Sequence, residues 1–121
     1  MNLIGALDQV AAALTLAGLD NVAVDPRDLD LPGALIAPAS VSFDTFDQST
    51  YTLVVDVALV APDHGHRGGL ETLGKLVDQL RAAAGPLGEL TAALATLPNH
   101  GPDPLPAFTT TITTTIREEP S

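Results

Sequence analysis

The sequence predicts an α+β fold: a mostly antiparallel sheet of about four strands with two or three helices packed on one face. Three observations carry that reading. Apolar residues recur at helical spacing in two well-separated stretches, Leu3 to Ala17 and Leu70 to Ala84. Between them, Ser40 to Phe46 and Tyr51 to Val60 alternate at period 2 on either side of the polar Asp47-Gln48-Ser49-Thr50, as a hairpin does. The chain then closes on Phe108-Thr-Thr-Thr-Ile112-Thr-Thr-Thr-Ile116, a β-branched run whose stiff χ1 angles suit a pleated surface.

The elements follow in order. Leu3, Ile4, Leu7, Val10, Ala11, Leu14 and Ala17 form one stripe of a first helix over about residues 2 to 17, with Gly18 as its C-cap. Val22-Ala23-Val24 is a short strand stopped by Asp25-Pro26, because proline cannot continue a ladder. Residues 27 to 38 read as a partly buried connection holding at most one short strand, since Pro32, Gly33 and Pro38 interleave with Leu29, Leu31, Leu35 and Ile36. In the second hairpin strand Leu53, Val55, Val57 and Leu59 share one face, and Val54, Asp56, Ala58 and Val60 the other. Such a strand sits centrally, and its one acid, Asp56, is expected on a solvated or partner-facing side. Ala61 to Gly69 carries three glycines and a proline and is expected to be an exposed loop before the second helix.

That helix buries Leu70, Leu73, Leu76, Val77, Leu80 and Ala84, turns Glu71, Lys75, Asp78 and Arg81 outward, pairs Glu71 with Lys75, and stops at Gly85-Pro86. Leu87, Leu90, Leu94 and Leu97 repeat a helical spacing and predict a short third helix, with a strand as the alternative. Asn99 to Pro106 is a loop. On the closing strand Phe108, Thr110, Ile112, Thr114 and Ile116 share the side expected to meet Leu73, Val77 and Leu80, while Thr109, Thr111, Thr113 and Thr115 face solvent or a partner. No linker or internal repeat divides the chain, so residues 1–121 read as a single domain with 118–121 as a short C-terminal tail.

Composition narrows the function. With no cysteine, neither a disulfide framework nor a thiolate metal site exists. Fifteen acidic against five basic residues give a formal charge of −10, too few cations for ordinary phosphate-backbone binding. Met1 to Leu19 is apolar-biased but interrupted by Asn2, Asp8, Gln9 and Thr15 and lacks a basic start. It reads as neither signal peptide nor membrane span, so a soluble protein made in the cytosol is expected. Ala- and Thr-rich usage with Lys75 as the single lysine suggests a high-GC bacterial or bacteriophage genome.

Candidate chemistry is sparse. Asp63, His64 and His66 carry metal-ligand side chains, but on a glycine loop with neither Cys nor an HExxH helix behind them, and His100 lies on another loop; an ordinary solvated loop is favoured. Gly65 to Gly69 precedes a helix yet matches neither GxxxxGK[ST] nor GxGxxG, and Arg67 is its only cation. Asp25, Asp28 and Asp30 lack the glycine and terminal Glu of a calcium loop, and no GxSxG elbow exists. Catalytic, cofactor-binding and metal residues are all expected to be none.

The element order, the size and the acidic, actinophage-like composition together resemble the tail terminator proteins of long-tailed bacteriophages. The resemblance covers nearly the whole chain: amphipathic first helix, short strand, Ser40 to Val60 hairpin, Leu70 to Ala84 helix, Phe108 to Ile116 strand. It implies a structural, non-enzymatic virion subunit, assembled in the host cytoplasm and located in the tail and neck. As such it would form a hexameric ring with itself, cap the tail tube protein, end tube polymerisation and dock the head-tail connector or head-closure protein. DNA would pass through the bore without specific binding, and no membrane is involved. Acidic residues of Asp25 to Asp30 or of Pro62 to Gly69 are expected to face that bore. The alternatives are another neck or minor tail protein, such as a head-closure or tube-like subunit, and a small ligand- or metal-binding α+β domain with the histidine loop as its site.

Overall fold

In the computed structural model the described residues are 2–19, 21–43, 50–62, 65–84, 88–97 and 104–117. The chain is an α+β fold, with two α-helices and a five-stranded mixed sheet among the described residues. The helices are α1, Leu3–Leu16, and α2, Gly65–Ala84; the strands are β1, Val22–Ala23, β2, Gly33–Ser42, β3, Thr50–Val60, β4, Thr91–Ala95, and β5, Leu105–Arg117. Their order across the sheet is β1-β2-β3-β5-β4, parallel between β1 and β2 and antiparallel elsewhere.

The first helix begins where Asn2 caps it: its side-chain oxygen accepts the Gly5 N–H at 2.9 Å. It ends in a Schellman motif. The Leu19 N–H donates to Leu14 O at 3.1 Å and the Gly18 N–H to Thr15 O at 3.2 Å, with Gly18 at φ 125°. Leu14 and Leu19, the apolar pair such a motif brings together, are both buried. Of the expected stripe, Leu7, Val10 and Leu14 enter the core, whereas Ile4 is 64% exposed and Ala17 lies outside.

The connection after β1 departs from expectation. Asp25 caps a short 3-10 turn, Pro26–Asp28, and β2 starts at Gly33, far before Ser40. The strand accommodates Pro38 beside a register shift between Pro38 and Ser40, a bulge of the kind that tolerates proline. Gly33 is required there, because a Cβ would stand 2.5 Å from Asp30 O and 2.9 Å from Asn21 O. The close approach lets the Ala34 N–H donate to Asn21 O at 2.8 Å and sets β1 parallel to β2. Residues 44–49, including the expected turn, lie outside the described residues.

Two further expectations are corrected. Gly65 to Gly69 is not a loop but the first part of α2. Its glycines lower helix propensity yet permit contact: a Cβ on buried Gly69 would lie 3.0 Å from Pro106 Cγ of β5. The leucines from 90 to 97 do not form a third helix, because Thr91–Ala95 pairs with β5 as β4. They share no single face: Leu90 packs on the core under the helices, Leu97 on the opposite side of the sheet, and Leu94 is 72% exposed.

Both helices cover one face, α1 on β1 and β2, α2 on β3 and β5. The main core lies between, where Leu53, Val55, Val57 and Leu59 of β3 meet Leu73, Leu76 and Leu80 of α2. Ile116 belongs to that cluster, and Phe108, Ile112 and Val77 pack against it, as the strand pattern predicts. Leu70, expected in the stripe, is 46% exposed. On the opposite face a smaller cluster of Leu29, Val60, Leu97, Leu105 and Ala107 seals one end only. The expected Glu71–Lys75 pair is replaced by Arg67 Nε to Glu71 Oε1 at 3.6 Å, an exposed pair worth a few tenths of a kcal/mol. Among the described residues no helix is long and apolar enough to cross a membrane.

Candidate assembly surface

β3 holds the centre of the sheet, so its partners on both sides fix what the uncovered face presents. Beyond the small cluster that face consists of three ranks across β2, β3 and β5. They are Ala37, Asp56 and Thr111; Ser40, Val54 and Thr113; and Ser42, Thr52 and Thr115. Thr111, Thr113 and Thr115 are exposed, Thr52 is half-buried, and Asp56, the one charged side chain in these ranks, is exposed. Among the described residues, hydroxyls and small side chains therefore give this face little charge on a chain of net charge −10.

The sheet edges are uneven. β1 pairs only with Ala34 and Leu35, so β2 runs on from Ile36 to Ser42 without a neighbour among the described residues. β4 pairs only with Leu105 to Thr109, so β5 runs on from Thr110 to Arg117 without a paired strand on that side among the described residues. Both overhangs lie at the same end of the sheet, on opposite sides of β3. Proline and the bulge blunt the β2 edge; the β5 edge carries neither, and its register with β3 is continuous from Ala107 to Arg117.

Beside the β5 overhang lies a groove of about 600 Å³. α1 lines it with Gln9, Val10, Ala13 and Leu14, α2 with Ala83, and β5 with Thr111 to Ile116, none of them charged. Thr110, buried at its end, donates its hydroxyl to Glu89 O at 3.1 Å, which draws the chain before β4 toward the helix side.

Most of the histidine candidates fall where nothing is described. Asp63, His64 and His100 lie outside the described residues, as does the side chain of His66. Asp25 is bound to Arg27, whose guanidinium donates to it at 3.0 and 3.3 Å and whose backbone N–H donates at 2.9 Å. The Arg27 side chain first, and then its N–H, hold the Asp25 carboxyl below its ordinary value, and the carboxylate raises Arg27 in turn. One of the three acids is thus neutralised locally. Among the described residues no group of three or more His, Asp or Glu side chains is placed to hold a metal. The sequence reading located the threonine face correctly but missed the groove and the β2 overhang, because both depend on where neighbouring strands stop.

No family model matches the chain, and no curated protein matches it in sequence.

Proposed function

We propose that the chain is a structural, ring-forming subunit of a long-tailed bacteriophage, of the tail-terminator type, which caps the tail tube and joins it to the head connector. The observation that carries this reading is the pair of strand overhangs on opposite sides of one half-sheet. A closed ring needs two different surfaces per subunit, related by a rotation that closes on itself, and an isolated sheet edge is a ready docking element. The hydroxyl face offers a third surface, and the acidity of the chain suits a bore through which DNA slides without adhering. The acidic Asp25 to Asp30 connection is our candidate for the bore wall, with Arg27 reducing its charge.

Negative-stain electron microscopy of the protein mixed with tail tubes from the same phage tests the reading, together with gold-labelled antibody on intact virions. Rings at the tube end and label at the head–tail junction support it. Label elsewhere on the particle, or none, overturns it.

A further inference from the structure

We infer that, away from its assembled partners, this chain dimerises by pairing β5 with β5 of a second copy, antiparallel and centred on Thr114. Such pairing depends on the strand itself, whether or not the assembled state is a ring. A bare edge is normally blunted by lysine, proline or a bulge, and the stretch Thr111 to Ile116, which has no paired strand on that side among the described residues, contains none of these. It is also free of charge, as is the groove beside it. On a chain of net charge −10, the stretch Thr111 to Ile116 sets no acidic residue of one copy directly opposite an acidic residue of the other.

Symmetry selects the register. A two-fold axis perpendicular to the sheet keeps both helix layers on one side, so directly opposed residues must come from the same face. Two such registers use nearly the whole overhang, centred on Thr113 or on Thr114. Centring on Thr113 sets Ile112 against Thr114 of the second copy. Centring on Thr114 sets Ile112 against its Ile116 twice over, joins the two neutral grooves, and places each Arg117 opposite Thr111. Matched β-branched pairs are the more stable cross-strand arrangement, so the second register is favoured. It also leaves Thr110, whose hydroxyl holds Glu89 O, outside the paired stretch.

The absence of cysteine makes the test clean. In the favoured register a Thr114→Cys side chain faces its own copy at about 4.5–5.5 Å between Cα atoms, within disulfide reach. Expected results are a dimer mass by light scattering that strengthens with salt as repulsion is screened, and an oxidised Thr114→Cys dimer on non-reducing gels. Thr113→Cys should stay monomeric on those gels, and Thr114→Lys, which opposes two cations at the axis, should weaken the dimer at least about fivefold. A monomer at every salt concentration with Thr114→Cys unlinked overturns the inference. So does cross-linking of Thr113→Cys in place of Thr114→Cys, or a free hexamer in which neither links.

Discussion

Replacing Gly33 with alanine places a methyl group 2.5 Å from Asp30 O, 2.9 Å from Asn21 O and 2.8 Å from Leu29 Cδ1. Two of these three atoms are backbone, so a rotamer change cannot relieve the clash; the connection and β1 must move by several tenths of an ångström. Overpacking of this kind costs about 1–3 kcal/mol. The Ala34 to Asn21 hydrogen bond that sets the parallel pair adds about 1 kcal/mol if it is lost. Stiffening the unfolded chain returns about 0.4–1 kcal/mol. The net expectation is about 2 kcal/mol of destabilisation, or a Tm lower by roughly 8 °C for a chain of this length. Gly74→Ala is the internal control, since nothing lies within 4 Å of its would-be Cβ on α2. There the same chemical change should stabilise by about 0.5–1 kcal/mol. Thermal and urea unfolding followed by circular dichroism measure both. If Gly33→Ala shifts Tm upward as Gly74→Ala does, the close backbone approach before β2 is wrong.

Other perturbations address the core, the capped turn and the open face. Leu80, fully enclosed in the helix–sheet core, should lose about 3 kcal/mol on truncation to alanine, whereas Leu94→Ala, at a position 72% exposed, should change urea stability by less than about 0.5 kcal/mol. Asp25 should titrate below an ordinary aspartate in carboxyl-detected NMR, and Arg27→Ala should move its midpoint upward. Because that carboxyl is depressed in the folded state, its small contribution is present above the ordinary aspartate value and fades as pH falls through the lower, folded one. A midpoint indifferent to Arg27 would remove the assigned cause. Asp56→Arg, on the uncovered face, should leave unfolding unchanged within about 0.5 kcal/mol yet abolish ring formation on tail tubes. Rings that form normally would take this face out of the assembly interface.

What the sequence determined by itself is whatever local chemistry imposes. Asn2 and Gly18 bound α1 through a cap and a left-handed turn that need no distant partner. The Thr/Ile run could only be a strand, and its period-2 alternation settled which threonines face outward before any neighbour was known. The central place of β3 followed from its aliphatic run. Where the reading failed, tertiary contact outweighed local preference. Thr91–Ala95 is, apart from Thr91, made of alanine and leucine, which favour helix, yet β5 offered it a ladder and two cores on opposite sides to fill with Leu90 and Leu97. Gly65 to Gly69 has the composition of a loop, yet it opens α2, where Gly69 leaves room for Pro106 of β5. The candidate assembly surface divides along the same line. Its threonine face was legible because alternation is a property of one strand. Its bare edges and groove were not, because an edge exists only where other strands stop, and strand lengths are decided by the packing of the whole sheet.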